Sequence, residues 1–162
     1  MARDRETLLG NLLRTRWAIY DSTAEYPGAV QAGFAFFAEW AFDMSVVLDA
    51  ELGDCAKLFA CDELQKLIDG HNSPWPLDNL LQTGRRWGLE AIFCTQAPNL
   101  IHNSVRGQIN EWVMFKTTSR NAMAVLAAEE DGVNVEEIRD PPKGAYVIVK
   151  TDTGAESRGR VF

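Results

Sequence analysis

The sequence predicts an α/β domain built on a mainly parallel sheet with helices on both faces, and three observations carry that expectation. Leu58-Phe59-Ala60-Cys61 is a short apolar run that ends abruptly in Asp62-Glu63, and Ala91-Ile92-Phe93-Cys94 is a second that ends in Thr95-Gln96. Apolar runs of this length, bounded by polar residues, read as strands buried in a parallel sheet. Strand-like and helix-like segments also alternate through most of the chain, the pattern of βαβ units. Ligands of open α/β sheets bind beyond the carboxyl ends of the strands, so the two polar strand ends mark one candidate site.

The elements follow in order. Residues 7–14 carry Leu8, Leu9, Leu12 and Leu13 in pairs four apart, the buried stripe of a short helix. Trp17-Ala18-Ile19-Tyr20 reads as a brief strand ending in an acid, Asp21, with a polar turn through Pro27-Gly28 behind it. Residues 31–42 are rich in alanine and aromatics and are expected to be helical, with Phe34, Phe37 and Ala38 or Ala41 on one face. Ser45-Val46-Val47-Leu48 reads as a short edge strand. Residues 64–68 form a helical turn that Asp69-Gly70-His71-Asn72-Ser73-Pro74 breaks. Residues 77–86 place Leu77, Leu80 and Leu81 at helical spacing, with Gly84 and Gly88 near the stop and a strand entering at Leu89. An irregular helix is expected over 100–109, a strand over 111–116 and an Ala-rich helix over 121–130. After the turn Pro141-Pro142-Lys143-Gly144, strands over 145–149 and 159–162 add an antiparallel edge. No internal repeat, low-complexity tract or linker interrupts the series, so residues 1–162 are read as a single domain.

Composition narrows the function classes. The chain is 46% hydrophobic and 24% charged, as in a globular protein, and no stretch approaches the roughly 20 apolar residues of a membrane span. The start, Met1-Ala2-Arg3-Asp4-Arg5-Glu6, lacks the apolar core of a signal peptide, so a cytoplasmic location is expected. A net charge of −7 argues against a monomer that coats nucleic acid by neutralising phosphates. Arginine outnumbers lysine 11 to 5, a bias that suits bidentate recognition of phosphate or carboxylate. Cys55, Cys61 and Cys94 form no C-x-x-C pair and are joined by only two histidines, His71 and His102, which argues against a zinc site. Cys61 and Cys94 read as small hydrophobes inside strands.

An Asp followed by Glu at the end of a buried strand has a mechanical use in nucleoside triphosphatases. The Asp helps hold Mg²⁺, generally through its water shell, because Mg²⁺ keeps several waters and takes few protein carboxylates. The neighbouring Glu can orient or deprotonate the water that attacks the γ-phosphate, and an amide on the next strand can fix the same water. Asp62, Glu63 and Gln96 fit these three roles. The local sequence equally allows a plainer role, in which Asp62 and Glu63 cap the following helix and favour its dipole.

The ordered set tips the balance. Ala18-Ile19-Tyr20-Asp21 with Glu25-Tyr26, then residues 58–64, then Gly84-Arg85-Arg86-Trp87-Gly88, then Ile92-Phe93-Cys94-Thr95-Gln96-Ala97-Pro98, resembles the FtsK/HerA class of P-loop DNA-translocating ATPases. The resemblance covers residues 7–115. The class includes chromosome translocases, conjugative coupling proteins and viral genome-packaging ATPases. It implies a three-layer P-loop NTPase-like α/β fold, ATP and Mg²⁺ as cofactors, double-stranded DNA as partner, and a homo-oligomeric ring without membrane insertion. By it, Asp62 is the Walker B magnesium residue, Glu63 the catalytic base and Gln96 the sensor, with Thr95 beside the nucleotide. Arg85 or Arg86 is then the arginine finger reaching a neighbouring subunit's nucleotide; as residues alone, this pair reads as a solvated helix end.

One departure is plain. Members of the class place a G-x-x-x-x-G-K-[ST] loop before the first helix, where this sequence has Asp4-Arg5-Glu6-Thr7. The first strand and the phosphate loop are thus missing from the expected pattern, and Arg5 does not inherit the lysine's role by position alone. A truncated chain, a degenerate paralogue and an unrelated α/β domain using Asp21 and Asp62 for Mg²⁺ are the three readings this leaves. ATP binding is expected to be weak or absent. A non-catalytic ATPase-like module assembling with intact subunits or DNA is the alternative function.

Overall fold

The computed structural model describes residues 4–53, 55–129 and 138–161. The chain forms two units, one running to Gln96 and the other from Ala97. In the first unit, helix α1 (Arg5–Thr15) starts where the Asp4 carboxylate accepts a hydrogen bond from the Thr7 N–H at 2.7 Å. That cap satisfies an N–H left over at the helix start, and it holds the Asp4 carboxyl below its usual range. Leu8 is fully buried and packs with Trp40.

Residues 17–20 do not form the expected strand. Ala18 and Tyr20 face the α1 core while Trp17 and Ile19 are 72% and 80% exposed. The alternation is therefore strand-like, but no described neighbour pairs with this backbone. A period of two reports which face is packed, and pairing needs a partner edge as well. Tyr20 stacks on Phe37, with ring centroids 5.0 Å apart. A short helix, α2 (Ser22–Glu25), follows at once.

Helix α3 (Val30–Leu52) extends well beyond the expected 31–42 and absorbs the segment read as an edge strand. Nothing between Phe42 and Leu48 breaks a helix, and the mild penalty on Val46 and Val47 is smaller than the gain from continuing an established one. Ser45 is buried, its hydroxyl donating to the Phe42 carbonyl. The helix stops at Gly53, whose φ is 74°.

Strands β1 (Lys57–Cys61) and β2 (Leu89–Phe93) pair in parallel, joined by helices α4 (Leu64–Leu67) and α5 (Trp75–Thr83) and a 3₁₀ turn over Gly84–Trp87. The 77–86 helix of the sequence reading thus begins earlier and tightens after Thr83. Gly88 joins this turn to β2 with φ 64°, and a Cβ there would lie 2.7 Å from the Cys55 carbonyl oxygen. One face of the pair packs inward, where Phe59 meets Phe34, Phe37 and Phe93 at centroid distances of 6.3, 5.6 and 6.1 Å. On the other face, Leu58 and Ile92 are 56% and 55% exposed.

The second unit holds a 3₁₀ turn (Pro98–Leu100), α6 (Asn103–Arg106), β3 (Glu111–Met114), α7 (Arg120–Glu129), β4 (Ala145–Lys150) and β5 (Glu156–Arg160). Its strands form an antiparallel sheet in the order β3-β4-β5: the turn-joined segments pair antiparallel as expected, but with β3 in a sheet of their own and not as an edge of the parallel pair. Met114, Leu126, Ile138, Val147 and Val149 make its core. The irregular helix expected over 100–109 is two short turns, and the last strand begins at Glu156 rather than Gly159. Glu130 and Phe162, the far ends of two expected elements, lie outside the described residues.

Candidate active site at the ends of the parallel strands

Parallel pairing in the register Lys57↔Leu89 to Cys61↔Phe93 brings the carboxyl ends of β1 and β2 side by side. The ladder runs one step further: the Cys94 N–H donates to the Cys61 carbonyl at 2.9 Å, and the Leu64 N–H to the Cys94 carbonyl at 3.0 Å. Asp62-Glu63 and Thr95-Gln96 therefore leave the sheet at one end. A side-chain bond ties them, since the Thr95 hydroxyl donates to Gln65 Oε1 at 2.7 Å. Gln96 is exposed there.

The two carboxylates are held differently. Asp62 is exposed, and its Oδ1 accepts the Glu63 N–H at 2.9 Å. Glu63 sits in the left-handed region at φ 51° and ψ 46°, a conformation costing a non-glycine residue about 1–3 kcal/mol and typical of functional sites. Its Oε2 lies 2.5 Å from the Lys66 ammonium. Glu63 makes no side-chain cap on α4, whose first N–H goes to the Cys94 carbonyl instead. The helix-capping role that the sequence left open is thus not how Glu63 is used.

The arginines are elsewhere in this unit. Arg85 and Arg86 are exposed on the 3₁₀ turn that enters β2, at the amino end of the strand whose carboxyl end carries Thr95 and Gln96. Five residues of strand put about 17 Å between them. Neither arginine can serve the acids of its own chain at that separation. Arg5 is taken up by α3, pairing with Glu39 at 2.9 Å and Asp43 at 2.7 Å. Asp21 caps α2, its Oδ1 accepting from the N–H groups of Thr23 and Ala24, so it does not stand at a paired strand end.

Sequence reasoning missed Gln65 and Lys66. Lys66 lies three residues after Glu63, a spacing that brings side chains together on a helical turn and was legible. Gln65 meets Thr95 across 30 positions of sequence, which no local signal reports.

Of this set Asp62 is the residue that could hold Mg²⁺ through a water shell, with phosphate oxygens as the further ligands were a nucleotide bound. No group of three or more His, Cys, Asp or Glu among the described residues is arranged to hold a metal by itself. Two surface concavities of about 480 and 360 Å³ lie on the second unit around Pro141 and Pro142, and no residue of the strand-end set lines either. The site is assigned by its chemistry, not by its depth.

No family model matches this sequence, and no curated protein does. In fold the chain is similar to solved structures of genome packaging NTPases. The genome packaging NTPase B204 from Sulfolobus turreted icosahedral virus 2 matches with a TM-score of 0.67 at 17% identity, over 79% of this chain and 62% of that one, in its complex with AMPPCP. Its complex with ATP-gammaS matches with the same TM-score and identity over 78% of this chain. The DNA-packaging ATPase B204 from Sulfolobus turreted icosahedral virus matches at 0.66 and 15% identity, over 78% and 61%. The chain thus spans about three-fifths of these proteins' length. No helix among the described residues is long and apolar enough to cross a membrane.

Proposed function

We propose that this chain is the core of a motor ATPase of the genome-packaging type, in which ATP hydrolysis moves double-stranded DNA through a ring of subunits. The observation that carries the reading is the stitched pair of strand ends, Asp62-Glu63 against Thr95-Gln96, in a packaging-NTPase fold. In this reading Asp62 holds Mg²⁺ through water. Glu63 takes the proton of the water that attacks the γ-phosphate, and the Gln96 amide fixes that water, with Thr95 beside the nucleotide. Arg85 and Arg86, about 17 Å away along β2, act on the nucleotide of the next subunit. Their exposure and their distance from their own chain's acids favour a role in trans.

The second reading is a non-catalytic module that joins intact subunits through the arginine surface. The exposure of the arginine pair on the 3₁₀ turn supports it. One experiment separates the two. The chain is mixed with a packaging-NTPase subunit that carries its own phosphate loop, and ATP turnover is followed with duplex DNA present. Stimulation lost in Arg85→Ala or Arg86→Ala supports action in trans. A further loss of about 10²-fold or more in the chain's own contribution on Glu63→Gln supports the motor. Stimulation indifferent to Glu63→Gln leaves the module, and no stimulation at all overturns both.

A further inference from the structure

We propose that Lys66 is a phosphate-responsive latch on Glu63: without nucleotide it holds the carboxylate, and it exchanges that carboxylate for the terminal phosphate when a nucleoside triphosphate binds. This rests on the site reading above and adds a positioning residue to it.

The geometry sets up the exchange. The backbone of Glu63 is pinned by its left-handed conformation and by the bond from its N–H to Asp62. The turn that carries Lys66 is pinned as well, by the burial of Leu64 and by the Gln65 bond to Thr95. What can move is the Lys66 side chain, 64% exposed, whose ammonium occupies Glu63 Oε2 at 2.5 Å. An ammonium at that oxygen occupies one of the carboxylate's acceptor positions, so Glu63 presents its full set to an attacking water only after Lys66 leaves.

A terminal phosphate placed one water away from Glu63 is within reach of a four-carbon side chain already touching that carboxylate. A phosphate carries more charge than the carboxylate, and the lysine ammonium is a mobile point charge suited to follow it. The other cations placed above are committed elsewhere: Arg5 to α3, Lys57 to the Trp87 carbonyl at the start of β1, and Arg85 and Arg86 to the far end of β2. Of these cations, Lys66 is the one paired with an acid of the strand end.

The test is NMR of the isotope-labelled chain titrated to millimolar Mg-ATP, Mg-ADP and inorganic triphosphate, concentrations at which weak binding is visible. The Lys66 ammonium signal is assigned by its loss in Lys66→Arg, and the Glu63 carboxyl carbon is followed with it. Expected is a joint shift of both signals with ATP and triphosphate, and a smaller one with ADP. Glu63→Gln, having no pair to break, should tighten triphosphate binding about two- to fivefold, and Lys66→Met should weaken it by a similar factor, with Lys66→Arg restoring most of the loss. Opposite signs at two paired residues are not what a merely structural pair produces. If the Asp62 and Gln96 amides shift while the Lys66 and Glu63 signals stay still, the latch is wrong and the site reading survives. If none of them shifts, the site reading fails and the latch with it.

Discussion

At the scale of single residues, Cys61 and Glu63 show how neighbouring positions divide between packing and chemistry. Burial, with Asp62 and Cys94 nearby, pushes the Cys61 thiol up to about 12. The thiol is therefore a protonated core group at neutral pH, as its place inside an apolar run predicted. In the unfolded chain a thiol ionises near about 8.5, so above that pH the unfolded state gives up a proton that the folded state keeps. The linked stability is complete below that point and declines as pH rises toward 12. Tyr20, whose phenol burial and the nearby Tyr26 and Glu25 raise to about 12, adds a loss of the same sign above about 10. Urea midpoints measured between pH 7.5 and 11 should fall, and Cys61→Ala should flatten the part of the fall that begins near 9. A midpoint independent of pH would refute the assignment. Glu63, by contrast, holds its carboxylate from a left-handed backbone that its own propensity does not signal.

At the scale of elements, α3 and β1 make the first unit through one aromatic cluster. Phe59 is the joint, touching two rings on α3 and one on β2. Phe59→Ala removes those contacts from a buried site and should cost about 3–5 kcal/mol, a large share of the 5–15 kcal/mol by which domains of this kind are stable. Chemical denaturation reads the loss directly. Val113→Ala, at a residue 48% exposed on β3, is the control that should change little. The parallel pair also shows how much a strand end depends on its partner. Without the register that sets Cys61 opposite Phe93, Gln65 and Thr95 have no reason to meet.

For the whole molecule, charge and fold pull in different directions. The fold is shared with proteins that package genomes, yet the net charge is −7. A single acidic chain with a small arginine surface should show no measurable non-specific affinity for duplex DNA at about 0.15 M salt, where phosphate binding depends on many released counterions. At low salt, any binding should weaken in Arg85→Ala and Arg86→Ala, with a shallower dependence on salt. Tight binding at physiological salt that ignores both substitutions would place the DNA contact elsewhere.

Local order settled much of this. The two apolar runs and their polar ends marked β1, β2 and the candidate residues, because burial on a sheet and a sharp change to polar side chains are written at adjacent positions. The same locality misled at Ser45–Leu48, where a valine pair looked like a strand but an uninterrupted helix won, and at residues 17–20, where alternation was present and a pairing edge was not. By itself, the sequence determined which side chains are chemically able to act and which stretches are buried. Only the tertiary structure decided which of them meet: it joined Thr95 to Gln65, set Lys66 on Glu63, and carried Arg85 and Arg86 to the opposite end of β2. Pairing across 30 positions depends on strand register and direction, which are properties of the assembled sheet and of no single segment within it.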